Sequence, residues 1–452
     1  MLDTLCRPDL SPKDPEASVL HAILREHLGT FLTERADADA PMPAFVAKEL
    51  FDFLACGVPA NGVAVFACAD CQRSRLVALS CKGRGFCMRC GSRRMTETAR
   101  HWEKRVLPHV RIRMWTLSFP FDLRRRLAFH HDDVLAVHRV VTRAIAARYL
   151  GKARALGVKK PRTGSIGVVH RFSSDLKCNV HLHDLWLDGV YADGGAFIPI
   201  APPDRAEMAR LLLVIVKRIA RLFSRRGEGT SDIDEPALAA ATDRAVRGQG
   251  VTRHGPGCED EPDIRDARWK IKARIEDFDL DATTVVAPEK RDRLEHLCRY
   301  LLRPPLAEAR LRTLDTGQIA LRLKTPYSDG TDWITMSPST FLERLCTLVP
   351  RPGKNTILYS GVLAAHAKHR AEIVPGDADT TRVHDSSWAE LSKHGIGVDM
   401  LACPCGGRMR FIELVIERDK LRPLLEAYGY RKDPLPMAKA RAPPQSDFDF
   451  GP

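Results

Sequence analysis

The chain has no apolar run approaching the roughly 20 residues that a helix needs to cross a bilayer. Leu211 to Val216, the start of an apolar face, is only six residues long. A helical membrane protein is therefore not expected. The charged-then-apolar opening of a secretory leader is also missing, since Met1 to Leu10 already carries Asp3, Arg7 and Asp9. Export is not expected, and a cytoplasmic, nucleoid-associated location is. Aromatics are sparse at 7%, yet hydrophobic residues make up 44% of the 452. That balance excludes a wholly disordered or collagen-like chain and predicts several domains with a sizeable core. No internal repeat is present. The 13 cysteines are an odd number, which in a long intracellular chain reads as metal ligands or buried thiols rather than a disulfide framework.

The most informative shortage is of acidic residues between 61 and 180, where 25 Lys+Arg face only 7 Asp+Glu. This excess of +18 is larger than the +13 of the whole chain, because residues 1–60 hold 5 basic and 10 acidic residues. An isolated basic cluster is usually a solvated face. A sustained block points instead to a polyanion, because a binder gains free energy from each counterion it releases from a neutralised phosphate. Nucleic acid is the leading partner class.

Val19, Leu20, Ile23, Leu24, Leu28 and Phe31 fall at helical spacing, and residues 1–60 read as an N-terminal helical segment. A cysteine-rich zinc-binding and DNA-binding domain is expected over 61–107. The main domain is expected over 108–345. Within it Val110–Phe119 reads as a strand ending at Pro120, and Leu123–Leu150 as one helix capped by Gly151. Ser165–Phe172 and Asn179–Tyr191 read as two strands joined by a short turn. Leu212, Ile215, Val216, Ile219, Leu222 and Phe223 mark an amphipathic helix. Residues near 225–265 read as a linker-like insertion, 346–433 as an accessory region, and the proline-bearing 434–452 as a disordered tail.

Cys68-Ala-Asp-Cys71 is followed fifteen residues later by Cys87-Met-Arg-Cys90. Two C-x2-C knuckles at this spacing predict one structural zinc, with four thiolates filling the tetrahedral shell and leaving no open position for water. Cys81 is a substitute ligand for one of them. Lys82, Arg84, Arg93 and Arg94, together with Arg89, place positive charge around the knuckles and are candidate DNA contacts. Cys403-Pro-Cys405-Gly-Gly resembles half a knuckle, but no other cysteines lie near it in sequence, so a turn is expected there.

In Asn179-Val-His181-Leu-His183-Asp-Leu-Trp-Leu-Asp188-Gly-Val-Tyr191, strand alternation puts His181 and His183 on one face. Two imidazoles so placed can hold a divalent ion and leave its other positions open. His-x-His alone more often just lines a sheet. In Leu294-Glu-His-Leu-Cys-Arg-Tyr300-Leu-Leu-Arg303-Pro-Pro, the apolar stripe is Leu294, Leu297, Cys298, Leu301 and Leu302, and Tyr300 projects off it with His296 and Arg303. A phenol is a poor nucleophile near neutrality, but a metal-polarised phosphate and a nearby arginine make its attack feasible.

Trp115-Thr-Leu-Ser-Phe-Pro120, His181-Leu-His183, Arg299-Tyr300-Leu-Leu-Arg-Pro-Pro305 and Leu323-Lys-Thr-Pro-Tyr-Ser-Asp-Gly330 together resemble the zinc-headed rolling-circle transposases of the "IS ninety-one" group, which belong to the HUH endonucleases. The resemblance spans about residues 16–416. It implies an α+β fold, an antiparallel-sheet HUH nuclease core with packed helices behind a small four-cysteine zinc domain. It further implies Mg²⁺ or Mn²⁺ at His181 and His183. Tyr300 would attack DNA to give a 5′-phosphotyrosine, acting on single-stranded DNA at the element's ends and on target DNA. Founding members carry two tyrosines four residues apart. Here His296 and Pro304 flank Tyr300, as in the single-tyrosine branch. The third metal ligand is not named by the sequence; His170 and His296 are the weak candidates. Arg303 and Lys324 are expected to contact phosphates. A plasmid replication initiator or relaxase using the same chemistry, and a non-catalytic zinc-bearing regulator, are the rival readings.

Overall fold

The computed structural model describes residues 14–226, 235–255, 271–376, 399 and 401–441. The chain opens with α1 (Val19–Asp37) and α2 (Ala44–Ala55). Ser18 caps α1 by accepting from the His21 amide, and Leu20, Ile23, Leu24, Leu28 and Phe31 bury the helical stripe. A hairpin of β1 (Val63–Cys68) and β2 (Ser74–Ala78) follows, and then α3 (Met88–His101), which continues to Val106 as a wider π-type turn.

The central sheet is assembled from distant segments. β3 (Ile112–Ser118) leads through Pro120 into α4 (Phe121–Phe129) and α5 (His131–Ala155). The single helix expected over Leu123–Leu150 is thus two helices, broken at His130. Gly151 lies inside α5, with open space around its Cα; the chain turns at Gly157, whose φ of 79° is the left-handed conformation that favours glycine. Next come β4 (Gly164–Phe172), β5 (Cys178–Leu187), β6 (Gly189–Tyr191), β7 (Phe197–Pro199) and α6 (Arg205–Arg226). After α7 (Pro236–Arg247) and β8 (Val251–His254) come β9 (Lys272–Ile275), β10 (Phe278–Asp281) and β11 (Val285–Val286). The tyrosine-bearing α8 (Arg291–Leu302) precedes β12 (Leu311–Thr313), β13 (Ile319–Arg322), β14 (Trp333–Met336), α9 (Pro338–Leu348) and β15 (Ile357–Gly361). After the short α10 (Arg370–Ile373), β16 (Met409–Val415) and α11 (Arg418–Ala427) follow.

The main sheet runs β15-β4-β5-β3-β10-β9, with β11 also paired to β3, and every pairing is antiparallel. Alternation along β5 divides the core. Val180, Leu182 and Trp186 pack with residues of α5 and α6, whereas Leu185 and Leu187 pack with Leu294, Cys298 and Leu301 of α8. A fully buried Asp188 locks this arrangement: Arg113 donates to both its carboxylate oxygens at 2.9 Å, and the Tyr149 hydroxyl donates to Oδ1 at 2.9 Å. A bidentate charge-assisted pair of this kind ties β3 to the end of β5.

Part of the stretch expected as a linker is regular structure. Residues 236–247 form α7, and β8 joins a four-stranded sheet ordered β12-β13-β14-β8. The buried stripe of α7 is mostly alanine, at Ala237, Ala241 and Ala245, so its hydropathy is weak although its period is helical. Residues 227–234 and 256–270 lie outside the described residues. The tail expected to be disordered over 434–452 is described as far as Arg441, and it lies along α1. There Ala438 donates its amide to the Arg25 carbonyl, and the Arg441 amide donates to Thr30 Oγ1. Residues 442–452 lie outside the description. Among the described residues no helix is long and apolar enough to cross a membrane.

Candidate active site and metal centres

Register brings three histidines to one spot. His170 on β4 stands directly opposite His181 on β5, and His183 stands opposite Thr116 on β3. Cross-strand partners share a face, so all three imidazoles project towards α8. Their ligand nitrogens lie within 4.8 Å of one another. His170, one of the two weak third-ligand candidates, is inside this cluster. His296 is not: it is exposed one turn before Tyr300, with its Nδ1 against the Asp292 carbonyl.

Each imidazole is oriented by its second nitrogen. His181 Nδ1 donates to the Asn179 carbonyl at 2.8 Å, which leaves Nε2 with a lone pair. His183 Nδ1 lies 2.9 Å from Thr116 Oγ1, and with Nδ1 as donor its Nε2 is free in the same way. His170 has the opposite tautomer, since Nε2 donates to the Leu301 carbonyl at 2.5 Å and Nδ1 keeps the lone pair. That bond also satisfies a last-turn carbonyl of α8 that the helix itself leaves unpaired. The helix end is thereby pinned to the histidine strand. Burial pushes His170 down to about 3, with the neighbouring His181 as the next contribution, and burial lowers His181 and His183 as well. Three neutral imidazoles with inward lone pairs suit a divalent cation.

Tyr300 leaves α8 beside this cluster. Its ring centroid is 6.5 Å from that of His183, and the ring is 41% exposed, open to a substrate. Arg303 and Lys324 both lie over this ring, at 4.4 and 4.9 Å from its centroid. No carboxylate is paired with either among the described residues. Desolvation, followed by the neighbouring Arg303 and Arg310, lowers the Lys324 ammonium from its ordinary value. Two cations, Arg303 and Lys324, thus converge on Tyr300 with no paired carboxylate among the described residues, which is the electrostatic signature of an anion site.

Two clefts lead to this point. One of about 1030 Å³ lies between Met88, Arg89 and Ser92 at the start of α3 and Phe172, Arg303 and Lys324 on the opposite wall. Another, of about 240 Å³, connects Arg84 and Arg94 to His170, Arg171 and Arg303. Of the basic residues singled out around the knuckles, Lys82, Arg84, Arg89 and Arg93 are exposed and Arg94 is half-buried. Arg94, on α3, donates to the Lys82 and Gly83 carbonyls and Arg84 to the Lys354 carbonyl, so these two also brace the loop that precedes α3.

The cysteines are distributed differently from the expectation. The structure does not bring the Cys68–Cys71 and Cys87–Cys90 knuckles together. Cys87 and Cys90 cluster with Cys81 and Cys56, whereas Cys68 and Cys71 cluster with Cys403 and Cys405. The reason is the β1–β2 hairpin. Cys68 and Cys71 occupy its tip, while Cys56 and Cys81 lie at its base, where the Gly57 amide donates to the Leu79 carbonyl. Strands of five or six residues put those ends about 15–20 Å apart. Cys81, expected as a substitute ligand, sits 3.5 Å from Cys90, sulfur to sulfur. Cys403 and Cys405, expected as a simple turn, face cysteines more than three hundred residues away in sequence. Cys56 carried no signal beyond being a lone cysteine at the end of α2.

Residues 23–119 match the family described as a transposase zinc-binding domain, and this span contains the Cys56, Cys81, Cys87 and Cys90 cluster whole. A structural zinc is thus part of the chain's architecture. Residues 164–371 match the family described as a putative transposase, a span that includes the three histidines and Tyr300. Neither a curated protein nor a solved structure gives a significant match. With a transposase zinc-binding domain ahead of a transposase domain in one chain, the protein belongs to the "IS ninety-one"-like transposases.

Proposed function

We propose that this transposase nicks and rejoins single-stranded DNA through a covalent bond to Tyr300. The observation that carries the reading is the convergence of Tyr300, two cations and three lone-pair-bearing imidazoles at the end of one cleft system. Cys56, Cys81, Cys87 and Cys90 hold the structural zinc of the zinc domain. His181 and His183, completed by His170, would hold Mg²⁺ or Mn²⁺, which when bound supplies Lewis-acid polarisation of the scissile phosphate.

The chain's own groups supply the remaining functions. Arg303 and Lys324 draw the phosphate to the ring of Tyr300 and offset the negative charge that builds on the phosphoryl oxygens. The Tyr300 oxygen attacks phosphorus and its proton passes to solvent. The bond from phosphorus to the 3′ oxygen breaks, and that oxygen leaves as a 3′-hydroxyl while the 5′-phosphate stays on the tyrosine. Phosphodiester energy is conserved in the phosphotyrosine, so attack by another 3′-hydroxyl rejoins DNA without ATP. One nucleophile allows one covalent end at a time, since His296 and Pro304 stand four residues to either side of Tyr300. Arg84 and Arg94, on the wall of the cleft towards His170, would guide the strand from the zinc domain to the site.

Incubation with single-stranded DNA carrying the element's ends, in Mn²⁺ or Mg²⁺, is expected to give a protein–DNA adduct that survives denaturing electrophoresis and disappears in Tyr300→Phe. No adduct with either metal, or an adduct that persists in Tyr300→Phe, would overturn the proposal.

A further inference from the structure

The second cysteine cluster lies half inside the matched zinc domain and half outside both matched spans, because Cys403 and Cys405 follow the end of the second match. We infer that Cys68, Cys71, Cys403 and Cys405 hold a second structural zinc, which fastens the C-terminal segment to the tip of the β1–β2 hairpin.

Sulfur geometry supports this. Cys68 Sγ lies 3.6 Å from Cys405 Sγ, and Cys71 Sγ lies 3.5 Å from Cys403 Sγ. A disulfide would need about 2.05 Å. A tetrahedron with Zn–S bonds of about 2.3 Å has edges of about 3.8 Å, close to the distances found. All four sulfurs lie within 4.8 Å of one another, as a shared ion requires.

Each half is built as a knuckle. In the first, the Gln72 amide donates to the Cys68 carbonyl and Gln72 takes a φ of 61°. In the second, the Gly406 amide donates to the Cys403 carbonyl with Gly406 at a φ of 90°, and the Gly407 amide points at Cys405 Sγ at 3.4 Å. An amide aimed at sulfur stabilises thiolate, the form that binds metal. The halves meet without slack: a Cβ on Gly407 would lie 3.0 Å from Cys68 Sγ and closer still to the Asp70 carboxylate. Cys403-Pro-Cys405 is one residue shorter than its partner knuckle, and the glycines at 406 and 407 let it turn as tightly.

The neighbouring packing shows why a metal is needed. β16 is an edge strand of the small β16-β1-β2 sheet. Phe411, Ile412, Leu414 and Ile416 are all more than half exposed. Only Val63, Val415, Leu421 and Leu425 are buried in the apolar core below that sheet, with the partly buried Ala60, Val65, Leu76 and Leu424 packed against them. So few buried side chains are a weak anchor for a strand whose partner is more than three hundred residues away, and a metal can take the place of a core.

The test is metal content of the full chain after gel filtration without chelator, in a His181→Ala, His183→Ala background so that the histidine cluster adds no zinc. About two zinc ions per chain are expected. The further changes Cys403→Ser and Cys405→Ser should lower this to about one and speed proteolytic release of the segment after residue 401. About one zinc in the His181→Ala, His183→Ala protein would overturn the inference whether or not the serine variant folds. So would an unchanged count in a folded serine variant, or a Cys68–Cys405 or Cys71–Cys403 disulfide found by mass spectrometry in protein alkylated without reduction. None of these readouts depends on Tyr300, so the inference and the proposed chemistry fail separately.

Discussion

Replacing Thr116 by valine isolates the orientation of one histidine. Thr116 is half-buried on β3, its hydroxyl lies 2.9 Å from His183 Nδ1, and the two residues are direct cross-strand partners. Valine keeps the volume and the strand preference and removes only the oxygen. The His183 ring is buried, so a lost acceptor is not replaced by bulk water. Nδ1–H is then unsatisfied, and the tautomer with the proton on Nε2, which has no lone pair for a metal, gains population. Loss of an outer-shell partner of a metal-bound histidine typically costs 10–100-fold in affinity, or about 1.4–2.7 kcal/mol at 1.36 kcal/mol per decade. Mn²⁺ titration of adduct formation should therefore show a half-maximal concentration about 10–100-fold higher in Thr116→Val, with the yield at saturation preserved and Thr116→Ser close to the parent. An unchanged Mn²⁺ requirement would refute the reasoning. A loss of adduct that no Mn²⁺ concentration restores would also refute it, because orientation alone cannot abolish the plateau.

Two further outcomes follow from the same geometry. Asp188→Ala leaves the buried Arg113 guanidinium without its bidentate partner and is expected to lower stability by about 3–5 kcal/mol in denaturant unfolding; a loss below about 1 kcal/mol would mean that this pair does not hold β3 to β5. Lys324→Ala, measured in a Tyr300→Phe background by fluorescence anisotropy, should weaken single-stranded DNA binding regardless of sequence and reduce the salt slope by about 0.7; an unchanged slope would remove Lys324 from the phosphate contacts.

Local patterns were more legible in the sequence than the connections were. His181 and His183 could be placed on one face because strand alternation needs no partner, and the apolar stripe of α8 could be found because helical period is local. The place of His170 depended on register. The turn between β4 and β5, with Leu176 at a φ of 59° and a shift in pairing between His170 and Phe172, sets His170 opposite His181. A slip of one residue would have turned it to the other face. The cysteine pairing failed for a related reason. Spacing in sequence put two knuckles fifteen residues apart, but a hairpin lies between them and holds them at opposite ends. Cys403 and Cys405 are brought back by the pairing of β16 with β1, a contact between opposite ends of the chain for which no local pattern exists.

These connections explain how the zinc domain is tied to the helix that carries Tyr300. Cys87 and Cys90 flank the start of α3, so the zinc at the hairpin base fixes where that helix begins. α3 then packs along α8, and Gly91 closes the contact: a Cβ there would lie 2.9 Å from Pro304 Cγ. Pro304 follows Arg303, and Leu301 one turn earlier accepts from His170, so the end of the tyrosine helix is held from both sides, by the zinc domain and by the histidine strand. The shortage of acidic residues between 61 and 180 fits the same frame, since that segment runs from the hairpin through α3 and β3 to the histidine strands and lines the clefts that end at Arg303. On the proposed chemistry, positive charge there would do two things: it would attract the DNA strand, and, being carried by elements fixed to α8, it would deliver that strand in a set position relative to Tyr300.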